Sequence, residues 1–357
     1  TATSSNSQPS LGPPTRAVTS AVRGGQLTLV SSAPPSFAQG GADDGAGGFI
    51  DRMLGHRDRS VGSLEFSGTN GDYLAIGHGV SSTLSFTRAA WGPNSLAAEQ
   101  ASGLGVTSAL VDLAQGGDSA AAGVAALGGL RVAVAWSSSP TPTGSEFGAD
   151  RSRSDASAVA VAVTARVTSR WSLSATLGSL KEDNALLGTT YLGAGPLSLG
   201  ARHQSRQTGL SAAFDLGANR SILAEASLVD VDGAALTSGL VRDVSPLKAR
   251  AFGLSFIQGD AFATGDSLTL SLRKPLRIVA GDAQMAVTTV DAQGYPVTSL
   301  QTVSLKPSGD ETDLGLGYVS PVRDLFSWRG AVSLRNDADN QAGRKDIAVR
   351  FGLHLGF

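Results

Sequence analysis

The last eleven residues restrict the fold more than any other part of the chain. Ile347, Val349, Phe351, Leu353, Leu355 and Phe357 are apolar at every odd position, with Ala348, Arg350, Gly352, His354 and Gly356 between them. Period-two alternation gives a strand one oily face and one small or polar face. About ten residues is also the length of a tilted strand that crosses a bilayer. A final strand of this kind, closing on Phe, is expected of an outer-membrane β-barrel.

The same alternation runs through the second half. Leu130, Val132, Val134 and Trp136 share one face, as do Val159, Val161, Val163 and Val167, then Trp171, Leu173, Ala175 and Leu177. Leu210 to Leu216, Ile222 to Leu228, Phe252 to Phe256, Leu268 to Leu272, Leu314 to Tyr318 and Phe326 to Leu334 continue it. With the less regular Tyr191–Arg202, Met285–Val290 and Val297–Leu305, the reading is an all-β fold. It is an antiparallel up-and-down transmembrane β-barrel of about 12 strands. The opposite faces carry isolated charges among Gly, Ala, Ser and Thr, so Arg131, Arg166, Glu225, Arg329 and Arg350 are expected to face a narrow lumen. Short connections (168–170, 217–220) alternate with long polar ones (137–154, 230–247, 336–345), as in barrels with short periplasmic turns and longer external loops.

Composition agrees in part. No run of 18 apolar residues exists, so a helical membrane span is not expected. Aromatic residues make up only 6% of the chain, which is low for interfacial girdles. The absence of Cys excludes thiol catalysis, thiolate metal sites and disulfides, and a net charge of −2 without a basic patch argues against nucleic-acid partners. The chain opens on Thr1, which reads as a processed or excised piece of a longer precursor.

Three regions are expected. Residues 1–48, rich in Ser, Thr, Pro, Gly and Ala, read as a flexible passenger tail or linker. Residues 49–127 read as linker and short strands (Val61–Phe66, Tyr73–Ile76, Thr83–Thr87). Within them the Ala-rich Ser95–Ala126 segment reads either as a helix threading or plugging the barrel, or as a surface helix or ordered loop. Residues 128–357 form the barrel. Of the four histidines, none has a partner at metal-ligand spacing, and His56, His203 and His354 carry no chemistry by themselves. Asp72 with His78 is read as turn chemistry, and the acidic run Asp310 to Asp313 as a strand cap. No G-x-S-x-G elbow, phosphate loop or dinucleotide fingerprint occurs. No catalytic, metal or cofactor residue is expected.

The stretch from Leu130 to Phe357 resembles the C-terminal translocator domain of autotransporters, nearest to those whose passenger is a subtilisin-like serine protease. The residues that carry the likeness are Leu180-Lys181-Glu182 followed by Leu187-Gly188; Phe252-Gly253-Leu254-Ser255; Leu272 to Ile278 (LRKPLRI); Val303 to Glu311 (VSLKPSGDE); and the Phe357 ending. The resemblance implies a barrel that helps an upstream passenger reach the cell surface. It also implies an assembly signal in Phe351, Leu353, Leu355 and Phe357, read by the barrel-assembly machinery. The implied partners are outer-membrane lipid, that machinery and the chain's own passenger. The Gly-Thr-Ser nucleophile stretch of such a protease is absent, since Gly68-Thr69 is followed by Asn70. Two readings compete with this one: a soluble secreted all-β binding or adhesion module, and an outer-membrane enzyme with a site at the barrel mouth.

Overall fold

The computed structural model describes residues 15–22, 25–32, 62–78, 82–114, 117–142, 153–183, 186–187, 202–235, 240–320 and 326–355. Ten strands open the main sheet: β1 (Thr15–Val22), β2 (Gly25–Ser32), β3 (Gly62–Gly68), β4 (Tyr73–His78), β5 (Asp118–Ala125), β6 (Leu130–Pro142), β7 (Arg153–Arg166), β8 (Trp171–Asp183), β9 (Arg202–Gly217) and β10 (Arg220–Val231). After β11 (Ala234–Ala235) and β12 (Val241–Val244) come β13 (Leu247–Gly259), β14 (Ser267–Ala280), β15 (Asp282–Val290), β16 (Pro296–Ser304), β17 (Thr312–Val319), β18 (Phe326–Asn336) and β19 (Lys345–Leu355). The main sheet has fifteen strands, all antiparallel, and leaves out β11, β12, β15 and β16, which make a separate four-stranded sheet. The ladders of the described residues run from β1 to β19, with no pair between these two end strands.

The main sheet therefore exceeds the expected dozen strands, because β1 to β5 join it, and its membership also differs at β15 and β16. Residues 15–22 and 25–32, read above as tail, form a hairpin whose second strand pairs with β3. Met285–Val290 and Val297–Leu305, read as barrel strands, belong instead to the second sheet. Alternation marks a strand but does not say which sheet it joins.

Turn chemistry sets the meander. Between β9 and β10, Gly217, Ala218 and Asn219 all take positive φ, so the chain reverses in two residues with the twist of the flanking strands. Gly281, at φ +133°, breaks the chain between β14 and β15; a Cβ there would land 2.1 Å from Leu247 Cδ2. The connections alternate in length, giving the sheet a short-turn rim and a long-loop rim.

Thr83–Thr87, expected as a strand, lies in a helix. Three helices follow β4: α1 (Ser82–Trp91), α2 (Leu96–Leu104) and α3 (Ala109–Leu113). The β-branched and aromatic residues of α1 favour a strand by propensity, but Ser82 to Thr87 are all buried in the helix, so packing overrides propensity. The three helices lie against the inner wall of the sheet: α1 on β5 and β6, α2 on β10 and β13, α3 on β7 and β8. The core sits between this insert and the wall. Phe86, Leu104, Val106 and Leu110 are its large buried side chains, each contributing about 1.5–3 kcal/mol over exposure.

Candidate functional site

The two faces of the main sheet differ in kind. On one, Val132, Val134, Val161, Val163, Leu177, Leu210, Leu228, Leu254, Leu270, Leu316, Val332 and Val349 stand exposed, one after another across the strands. On the other, at alternate positions, lie buried alanines and polar groups: Ser137, Ala160, Thr176, Gln207, Glu225, Ser255, Ser271 and Ser333. A water-soluble sheet reverses this arrangement. Lipid demands it, because a hydrocarbon-facing side chain must be apolar and every backbone group must bond within the sheet. Among the described residues no helix is long and apolar enough to cross a membrane; the lipid-facing stripe is carried by the strands.

Aromatic side chains collect at the short-turn rim. Trp171 and Phe214 pack at 4.6 Å between centroids. Phe262, Tyr318, Trp328 and Phe351 form a chain of contacts at 5.7, 4.7 and 5.8 Å. Rings of this kind sit where the oily belt meets the headgroups. Low aromatic content did not foretell this, because what matters is where the few rings are placed.

The inner wall is built to receive the insert. A helix ends with carbonyls that have no partner in the helix, and with the negative end of its dipole. Here the wall supplies the donors. Arg131 Nε donates to Ala89 O near the end of α1. Arg273 Nη1 lies 3.5 Å from Leu104 O at the end of α2. Gln207 Nε2 donates to Val106 O at 2.9 Å, and its Oε1 accepts from the Leu110 N–H at 3.3 Å. Ser137 Oγ donates to Val111 O at 3.1 Å. From the insert, Gln100 Nε2 reaches the backbone oxygens of Ser221 and Ser255 at 3.1 and 3.0 Å. Glu225, 1% exposed, accepts from the hydroxyls of Thr107 at 2.8 Å and Ser211 at 3.1 Å.

Small residues on the wall make room. A Cβ at Gly123 in β5 would lie 2.1 Å from Ala89 O, and one at Gly253 in β13 would lie 3.0 Å from both Leu104 Cδ1 and Val106 Cγ2. The wall is thin where the helices press closest.

Beyond the insert, towards β19, the wall carries ions. Arg335 bonds Glu311 through Nε at 3.0 Å and again through Nη2. It also lies 3.5 Å from Asp313, 3.3 Å from Asp339 and 3.7 Å from Asp346. Arg273 lies 3.5 Å from the same Asp313. Thus the acidic run 310–313 supplies the counter-charges of two buried arginines, rather than merely capping a strand. Asp310 lies just outside, where the Lys274 ammonium at 2.8 Å holds its carboxyl below the usual range.

Of the residues expected in the lumen, Arg131 and Glu225 are buried on the inner wall. Arg329 is half-buried there. Arg166 shares the inner parity of β7 but stands exposed at the short-turn rim, two residues past the last buried position, Thr164. Arg350, Leu353 and Leu355 lie in β19, with their side chains outside the described set. Phe357 and His56 lie outside the described residues, as does the side chain of His354. Phe351 is exposed on the outer face against Trp328.

His78 pairs not with Asp72 but with Asp118, at 2.8 Å. Asp72 caps its own turn, accepting from Asn70 at 3.1 Å and from the Ala125 N–H at 3.0 Å. His78 and Asp118 are register partners on β4 and β5, and they border a cleft of about 710 Å³ at the long-loop rim. His203 and Glu182 also line it. The His203 ring is buried beside the Asp232 backbone without a hydrogen bond of good geometry. Among the described residues no three His, Asp or Glu side chains gather as metal ligands.

No family model matches the chain, and no curated relative does. Solved structures do. OmpT, an outer membrane protein of Vibrio cholerae, is 10% identical with a TM-score of 0.49, over 96% of this chain and 88% of that one. An anion-selective porin from Comamonas acidovorans is 13% identical with a TM-score of 0.43, over 97% and 90%. The beta domain of the Bordetella autotransporter BrkA is 12% identical with a TM-score of 0.28, over 96% and 94%.

Proposed function

We propose that this chain anchors and exports a passenger: a β-barrel translocator whose interior is occupied at rest by its own helical insert. The observation that carries this reading is the bonding of helix ends to wall side chains, Arg131, Arg273, Gln207 and Ser137. A diffusion pore keeps its polar wall wet, whereas here these four wall side chains bond to the insert. Lipid holds the outer face, the final strand with Phe351 engages the assembly machinery, and the passenger precedes β1. The resemblance to translocators of subtilisin-like autotransporters makes a serine protease the first cargo to test. The chain's own part is transport and anchoring rather than catalysis.

The soluble alternative requires a second layer over the outer stripe. Among the described elements nothing covers Leu177 or Leu228, which are 65% and 64% exposed. The experiment is an epitope fused before Thr1 and expressed in a Gram-negative cell. Protease shaving of intact cells is expected to remove the epitope while the barrel stays in the outer-membrane fraction. An epitope held in the periplasm beside a fully inserted, heat-modifiable barrel would reject the export reading.

A further inference from the structure

The second sheet ends on an unusual edge. Among the described residues strand β16 pairs only with β15, on one side, and all nine of its residues are exposed. Proteins normally blunt such an edge with a charge, a bulge or a mid-strand proline. β16 (PVTSLQTVS) has no charge, and its Pro stands at the first position.

The bonding pattern shows what the edge offers. Leu305 N–H donates to Gly281 O at 3.0 Å, and Asp291 N–H donates to Tyr295 O at 2.9 Å. The register between β15 and β16 is continuous over Asp282–Val290. Odd-numbered residues of β16 therefore bond to β15, and the N–H and C=O groups of Thr298, Leu300 and Thr302 point to the open side.

The sequence on that edge reads nearly the same in both directions. From Val297 to Val303 it is V-T-S-L-Q-T-V. Two antiparallel copies centred on Leu300 place Val297 against Val303, Thr298 against Thr302, Ser299 against Gln301 and Leu300 against Leu300. Each outward-pointing residue then exchanges two backbone bonds with its counterpart, and every facing pair except Ser299 with Gln301 sets like against like. With no charge on the strand, the two copies do not repel each other.

We propose that β16 is a self-association edge, joining two copies of this chain across a two-fold axis through Leu300. A two-fold contact must be self-complementary, and a near-palindromic strand meets that demand in a way that a docking edge for an unrelated strand does not need to. One strand pair buries less than a standard interface, so the dimer is weak in dilute solution. Anchoring both copies to membranes raises their effective concentration.

The chain has no cysteine, so single thiols report cleanly. Residues facing each other in a bonded pair lie about 5.5 Å apart at Cα, a separation that a disulfide spans. L300C in detergent-solubilised full-length protein is expected to give a linked dimer on mild oxidation, about tenfold above A292C in the adjacent turn, because pairing raises local thiol concentration. T298C alone and T302C alone stay monomeric, while their mixture links. T298P on the L300C background removes an outward donor, leaves the β15 ladder intact and abolishes the link, with heat-modifiable mobility confirming the barrel. Equal linking of L300C and A292C would overturn the proposal, as would T298C linking to itself as well as to T302C. An edge occupied by some other protein leaves every variant unlinked, which counts against it equally.

Discussion

Gly123 gives the sharpest test of the helical insert. In Gly123→Ala the new Cβ lies 2.1 Å from Ala89 O, 2.7 Å from Ala89 C and 2.8 Å from Ala89 Cα. Ordinary van der Waals contact begins at 3.4 Å, so the helix backbone must retreat by about 1.3 Å (3.4 − 2.1) to reach it. All three nearest atoms belong to main chain, and no side chain can swing away. Overpacking of this kind costs about 1–3 kcal/mol. Retreat of Ala89 also breaks its bond from Arg131, a residue only 9% exposed, and an orphaned buried donor adds a further 1–3 kcal/mol or so. The insert is therefore expected to loosen by about 2–6 kcal/mol while the lipid-facing ladder stays intact. Protease accessibility of residues 82–113 and single-channel conductance in planar bilayers both measure this. G123A should raise both, with unchanged heat-modifiable mobility. Gly103→Ala serves as the contrast: it lies in α2 with nothing within 4 Å of its Cβ, and should tighten the helix by roughly 0.5–1 kcal/mol. A G123A protein as closed and as protected as the parent would refute the placement of α1 against β5.

Other consequences can be checked separately. Val161→Arg puts a charge in the oily belt and should lower barrel stability by about 2–4 kcal/mol near the midplane, read as the denaturant midpoint in detergent or lipid; an unchanged midpoint would mean that the stripe does not meet hydrocarbon. Arg335→Met leaves Glu311 and Asp313 buried without their shared cation and should cost about 3–5 kcal/mol, measured the same way. At the short-turn rim, burial alone would raise the Asp266 carboxyl, but the Tyr318 hydroxyl at 2.8 Å and the N–H groups of Phe262, Ala263 and Ala261 outweigh it and hold the carboxyl below its ordinary value. A depressed carboxylate stabilises above its unfolded pKa and loses that contribution as pH falls through the folded one. Hydrogen exchange in the 260–266 turn should therefore stay slow at neutral pH and quicken only below the usual carboxylate range. Asp266→Asn should quicken it at neutral pH, and the difference from the parent should vanish in acid. Deleting Phe357 should reduce the amount of protein in the outer membrane more than it reduces the denaturant midpoint of what is inserted; equal membrane levels would reject its role in assembly.

What was legible in the sequence follows from what faced lipid. Strands β6, β7, β17 and β18 announce themselves because hydrocarbon requires Val, Leu or Trp at every second position. Strand β5 (DSAAAGVA) was hidden for the opposite reason. Its inner face lies beneath a helix, so Ala121 and Gly123 had to be small, and an Ala-rich run reads as helix. The inward charge Glu225 was visible from parity alone. Its partner Thr107 stands 118 positions away, and no local pattern connects them. Likewise Asp118 fell in a region read as helix, so the bond of His78 to it was out of reach while Asp72 lay close by in sequence.

The pair His78 and Asp118 closes the base of the segment it encloses. These residues face each other across neighbouring strands, so the 39 residues between them (118 − 78 − 1) leave and return at one point on the long-loop rim. A stopper tied at both ends to the same spot on the bottle's lip is not lost, whatever dislodges it.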